Sequence, residues 1–241
     1  MLTMEVTGMG AIVGGSFGAA ALALRLGLPA AASPDGNTPA AILATFKRRT
    51  QQRYLDDAVG VGLAALNGAS ETAPEGVEAV PERTGLLLAT LSGPINTRAQ
   101  FRESYTSRGK RSASATLFAN CGYNIVGAML ARSHNIRGPA LTFGTGEMWC
   151  RRLLATARRM FEAGRIDRLF IGNVEVGCGV ILALAPCNGA PPSPNPRIAF
   201  ASDGISLLHP ESGSSPLAVP DDELLWHLAL LWQRPCRAAD A

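Results

Sequence analysis

The sequence predicts an α/β fold of stacked layers around a mixed, mainly parallel sheet. Three observations predict it. Uniformly apolar short runs, such as residues 85–89, read as strands buried on both faces. Segments with apolar residues at helical spacing alternate with those runs, which is the signature of strands joined by crossover helices. The connections between them concentrate Gly, Pro, Asn and Asp, the residues that close turns.

In chain order, residues 4–6 read as a short strand and Gly8-Met9-Gly10 as a turn. Residues 11–26 are apolar and rich in glycine, with termini that the pattern leaves open. A loop over 29–39 carries Ser33-Pro34-Asp35-Gly36-Asn37. Helices are expected over 40–48 and 51–66, the second from the recurrence of Ala58, Leu63 and Leu66. Residues 70–81 read as a polar linker, 84–90 as a strand ended by Ser92-Gly93-Pro94, and 97–105 as a helix. A basic, exposed segment spans 107–114, followed by a helix over 122–133. Gly138-Pro139 turns the chain into a strand over 140–143, and Gly144-Thr145-Gly146 turns it again. The clearest helix covers 147–163, with Gly164 as its natural C′ residue. Strands follow over 168–172 and 180–185.

Two units are expected: a domain over 1–187, then a tail over 188–241. The tail opens with Pro191, Pro192, Pro194 and Pro196, and carries one short strand at 205–208 and an amphipathic helix at 221–232.

Composition excludes several function classes. A chain of 241 residues with 47% hydrophobic content is long enough to bury a large core. Its net charge of +3 is too small to argue for nucleic acid, and no arginine-rich arm interleaved with aromatics is present. No stretch reaches the ~18 unbroken apolar residues of a membrane helix. No basic region precedes the first apolar run, so no signal peptide is expected. Cys121, Cys150, Cys178, Cys187 and Cys236 lack framework spacing and read as free thiols in a reducing, cytoplasmic setting. The three histidines lie away from cysteine or carboxylate clusters, so neither a metal nor a cofactor is expected.

Residues 112–176 carry a resemblance. Ser114-Ala115-Thr116-Leu117-Phe118-Ala119-Asn120 leads into a helix, then Asn135-Ile136-Arg137-Gly138-Pro139-Ala140-Leu141-Thr142, a turn, a long helix, and Ala163-Gly164-Arg165-Ile166-Asp167. This order resembles the β-ketoacyl synthase family, whose members carry "LGLRGPNLTV", a small-residue turn, the nucleophilic cysteine and a helix ending "GRADV". Val6-Thr7-Gly8-Met9-Gly10 resembles the family's opening strand and turn. Arg83-Thr84-Gly85-Leu86-Leu87-Leu88 resembles its "RIGLVVG" strand, and Arg53-Tyr54-Leu55-Asp56 its substrate-side helix. Ala201-Ser202-Asp203-Gly204-Ile205 echoes "DRDGFV". The resemblance implies a thiolase-like fold, N-terminal half only.

Counting from Gly138-Pro139, the family's cysteine falls on Glu147. A helix start offers free N–H groups and partial positive charge, which activates a thiol and equally stabilises a carboxylate. A carboxylate is a poor nucleophile towards a thioester, and family members with Gln at this place are decarboxylating ketosynthases and chain-length factors. Read without the family, Glu147 is a helix-start carboxylate of structural value. Cys150, one turn on, is a weaker candidate for a displaced nucleophile. Family ketosynthases are internally duplicated and keep a catalytic histidine pair in their second half. His134, His209 and His227 do not sit in those motifs, so no catalytic residue is expected here.

The helix after Glu147 places Arg151, Arg152, Arg158 and Arg159 on one face and Met148, Leu153, Leu154, Ala157, Met160 and Phe161 on the other. The arginine face is expected to be solvated or to meet an acidic partner. The resemblance implies dimerisation through the strand of Ala140, Leu141, Thr142 and Phe143, with a full-length β-ketoacyl synthase as partner. It also implies Phe118 and Asn120 as tunnel-lining candidates, and Arg108, Lys110 and Arg111 as candidates for contact with an acidic acyl carrier protein. The expected function is a catalytically silent, chain-length-factor-like subunit, of a kind associated with aryl polyene and type II polyketide or fatty acid pathways. The alternatives are a carrier-protein thioester hydrolase or decarboxylase using Glu147, and a carrier-protein-binding module.

Overall fold

The computed structural model describes residues 2–13, 16–17, 38–73, 80–187, 197–201, 204–209, 213–216 and 225. One sheet organises them. β1 (Thr3–Val13) and the short β2 (Ser16–Phe17) are followed by α1 (Pro39–Thr50) and α2 (Asp57–Thr72). Then come β3 (Thr84–Thr90), α3 (Ile95–Arg108), α4 (Ala115–Ala119), α5 (Ile125–Ser133) and β4 (Ala140–Gly144). The chain continues through α6 (Trp149–Glu162), β5 (Arg168–Glu175), β6 (Cys178–Pro186), β7 (Arg197–Ala201), β8 (Gly204–His209) and β9 (Gly213–Pro216).

The strand order is β4-β3-β5-β6-β1-β7-β8-β9, with β2 on β1. The expected mixed α/β sheet is present. In the five strands from β4 to β1, four run one way and only β6 is reversed. Among the described residues, parallel hydrogen bonding itself is confined to β3–β4 and β3–β5. β6 reverses because Val176-Gly177, with Gly177 at φ +86°, closes a tight hairpin after β5. The strand expected at 205–208 lies inside β8, and β7 and β9 extend the same sheet beyond it. The helix expected at 221–232 lies outside the described residues except for Leu225, which is helical and fully buried.

Alternation along the strands divides the core. Leu87, Ala89, Leu169, Ile171, Leu182 and Leu184 point to the α6 side, which Leu225 joins. Leu86, Leu88, Phe170, Ile181 and Ala183 point to α1, α2 and α5. Fully burying a side chain such as Phe170 contributes about 1.5–3 kcal/mol. β1 lies close under α2: a Cβ on Gly10 would stand 1.9 Å from the Ala65 carbonyl oxygen.

Helix ends follow the sequence with instructive exceptions. α2 begins after Asp56, not at residue 51, because one Asp56 carboxylate oxygen caps the Ala58 N–H at 3.1 Å. The other oxygen accepts the Thr97 N–H at 2.8 Å and ties α2 to α3, so residues 53–56 are the entry to a helix and not part of one. α6 ends in a Schellman turn on Gly164 (φ +61°), with Gly164 N–H donating to Phe161 and Arg165 N–H to Met160. α5 ends in the same way with Asn135 (φ 52°) in the glycine role.

Candidate functional site

The carboxyl ends of β3, β4 and β5 meet at one edge of the sheet. In layered α/β folds, that is where loops are placed to do chemistry. The loop after β3 is clamped by Glu175 at the end of β5. The Glu175 carboxylate accepts hydrogen bonds from the backbone N–H groups of Leu91 and Ser92 and from the hydroxyls of Ser92 and Thr90. The Thr90 hydroxyl oxygen accepts the Gly93 N–H at 2.9 Å. Asn173 donates to the Ala89 carbonyl at 3.1 Å. The Thr90 carbonyl accepts the Thr145 N–H at 3.1 Å and so carries the clamp into the turn that bears Glu147.

Glu147 lies in that turn, exposed, between the end of β4 and the start of α6. The helix begins at Trp149, two residues later than the periodicity predicts. The reason is Met148, which takes the left-handed conformation (φ 55°, ψ 28°) as N-cap and without a side-chain cap bond. Glu147 therefore precedes the helix and is not in its first turn. Met148 is exposed and does not join the apolar face assigned to it. Trp149 and Cys150 are buried with Leu153, Leu154 and Ala157. The Cys150 thiol, 0% exposed, cannot meet a substrate from solvent. Burial also pushes the Cys121 and Cys187 thiols up, away from the reactive thiolate.

Arg151, Arg152 and Arg159 are exposed on α6, and Arg158 is half-buried and paired with Glu162 at 2.7 Å. The solvent-facing arginine side is thus as expected.

Among the described strands, β4 is at the end of the sheet. Ala140 and Leu141 are exposed, while Thr142 and Phe143 are half-buried. Leu141 and Phe143 align with the α6 side of β3, and the Thr142 hydroxyl lies against Gly127 of α5. Phe118 on α4 is not core: it is 66% exposed, with its ring 5.5 Å from that of Phe101. Asn120 is buried at the end of α4, its N–H donating to Leu117. Leu91, Ile95, Tyr123 and Met148 are also exposed and come from the loops and helices at the β3–β4 end. Tyr123 is held there by Arg98, which lies 4.7 Å from the ring centroid. Arg108, Lys110 and Arg111 are exposed at the end of α3 and in the short 3₁₀ turn that follows.

His134 caps the C-terminus of α5, at the opposite end of β4 from Glu147. Its Nδ1 lies 2.7 Å from the Ser133 hydroxyl. Burial pushes its pKa down from 6.5 to about 4. Between those values the unfolded chain binds a proton that the folded chain does not, so stability falls as the pH drops through this window. Urea denaturation is expected to show this slope, and His134→Gln to flatten it. A slope that persists in the variant would place its origin elsewhere. His209 ends β8, far along the sheet from β4, and His227 lies outside the described residues.

Among the described residues, no group of three or more His, Cys, Asp or Glu could hold a metal ion, and no helix is long and apolar enough to cross a membrane. The four described cysteines are free. The sequence reading missed the Glu175 clamp, whose only trace is a carboxylate at the end of a buried strand.

No family profile and no curated protein matches the chain. Solved structures do. A chain of the ishigamide ketosynthase/chain length factor matches with a TM-score of 0.61 and 20% identity over 81% of this chain. The complex AntDE:AntF, a type II polyketide synthase acyl-carrier protein with its ketosynthase, gives 0.59 and 13% over 83% of this chain and 68% of its own. The ketosynthase ApeO with its chain length factor ApeC from Xenorhabdus doucetiae gives 0.54 and 16% over 77% of this chain and 79% of its own. This chain spans 65% of the length of the matched ishigamide chain. The described residues thus take the thiolase-like fold of ketosynthase and chain-length-factor chains.

Proposed function

We propose that this protein is a catalytically silent, ketosynthase-like subunit that pairs with an active β-ketoacyl synthase and helps to shape acyl chain elongation, as a chain-length factor does. The observation that carries this reading is Glu147, an exposed carboxylate in the β4–α6 turn where the resemblance places the acyl-accepting cysteine. A carboxylate there cannot hold an acyl chain as a stable thioester, and its anhydride with an acyl group would hydrolyse. Condensation then falls to the partner. The edge strand β4, with Leu141 open to solvent, supports pairing with a second chain, because an unprotected edge offers a row of free backbone groups.

Phe118 and Asn120 are proposed to contribute to the acyl tunnel, Phe118 by projecting from α4 towards the partner. Arg108, Lys110 and Arg111 are proposed to meet the acidic helix of an acyl carrier protein in the cytoplasm. Reversing their charge should weaken carrier binding, and the loss should shrink at high salt.

Co-expression with a full-length ketosynthase from the same genome tests the reading. The two chains should co-purify as a heterodimer that elongates an acyl chain. Glu147→Gln in this chain should leave the elongation rate within about twofold, since no step passes through that carboxylate. The alternative is a hydrolase or decarboxylase acting alone. It predicts thioester turnover by the isolated chain and its loss in Glu147→Gln, either of which would contradict the silent role.

A further inference from the structure

The layer of α1, α2 and α5 carries a feature that the β4 end does not use. A cavity of about 310 Å³ opens between these helices. Ile42, Phe46 and Leu63 form an apolar wall, and Arg49, Asn67 and His134 form a polar rim. A second cavity of about 220 Å³ shares Phe46, Arg49 and Ser133 with the first and adds Thr50 and Arg132. Arg49 is therefore reached from both, and Arg132 lines the second.

The charge here is one-sided. Among the described residues lining the two cavities there is no Asp or Glu. Neither the Arg49 nor the Arg132 guanidinium has an ion-pair or hydrogen-bond partner among the described residues, whereas that of the neighbouring Arg48 is tied to Thr45 at 3.0 Å. Both sit in the last turn of a helix, where the helix dipole favours a cation, and that alone accounts for their being basic. It does not account for two unpaired guanidinium groups from different helices lining adjoining cavities that share Phe46.

We infer that these cavities form a binding site for a small organic monoanion with an apolar tail, of the medium-chain carboxylate class. Guanidinium groups match a carboxylate as paired donors. The Ile42, Phe46 and Leu63 wall removes the tail from water. His134 is neutral at pH 7, so the charge of the rim comes from the arginines, and the apolar wall of Ile42, Phe46 and Leu63 favours an anion with a tail over a bare phosphate.

Calorimetric titration of the whole chain with octanoate, octanol and inorganic phosphate tests this. Octanoate should bind saturably, at least about tenfold more tightly than octanol or phosphate. The double variant Arg49→Ala with Arg132→Ala, both exposed positions, should lose at least about tenfold for octanoate with an unchanged circular dichroism spectrum. Ala41→Trp, which adds bulk from an exposed position lining the first cavity, should block octanoate with both arginines in place. The site is overturned if octanoate shows no saturable binding at millimolar concentration, or if both variants bind it as the parent does. It is also overturned if phosphate binds as tightly as octanoate.

Discussion

Combining Leu141→Asp with Thr142→Pro is expected to weaken the heterodimer with a full-length ketosynthase at least about thirtyfold, the effect of losing a central interface anchor worth ~2 kcal/mol. The direction follows from the ladder. The Pro139 carbonyl and the Thr145 N–H both point to β3, so the odd-numbered residues of β4 face inward and Thr142 presents its N–H to the open edge. Proline at 142 removes an edge donor without touching the β3 pairing, and its fixed φ suits a strand edge. Aspartate at 141 puts a charge where a second strand would bring apolar surface, from a side chain already 44% exposed. The monomer should keep its denaturation midpoint. Sedimentation of the purified mixture reads the result, and an unchanged complex would remove β4 from the interface.

Gly10→Ala is expected to destabilise the fold by about 3 kcal/mol or more, at the upper end of overpacking effects. The added methyl would stand 1.9 Å from the Ala65 carbonyl oxygen and 2.9 Å from the Ala69 nitrogen, and both are backbone atoms of α2. Backbone cannot rotate away as a side chain can, so α2 must lift off β1 and open the layer holding Leu63 and Leu66. Gly144→Ala is the control, because none of the described residues lies within 4 Å of its added Cβ. It should stay within about 0.5 kcal/mol. Equal midpoints for the two variants in urea would contradict the close contact of α2 with β1.

What could be read from the residues followed the strength of local signals. α6 was legible because Leu153, Leu154, Ala157, Met160 and Phe161 repeat at helical spacing, and Gly164 marks its end. Its start was misplaced because Met148 adopts a positive φ, which a non-glycine residue does not announce. The Glu175 clamp was invisible because its partners lie more than eighty positions away in sequence. β7 and β9 were not read as strands: short segments such as Arg197–Ala201 and Gly213–Pro216 become strands by joining an existing sheet, not by their own pattern. The 66% exposure of Phe118 was not legible either, since an aromatic in an apolar stretch does not announce that the fold leaves its helix uncovered. That β4 ends the sheet came only from the family resemblance, because five residues of apolar strand look alike at the centre and at the edge.

The most direct measurement is intact-protein mass spectrometry of the heterodimer after incubation with an acylated carrier protein. The silent-subunit account predicts an acyl adduct on the ketosynthase partner and an unmodified mass for this chain. An acyl adduct on this chain, at Glu147 or on any of its thiols, would contradict it.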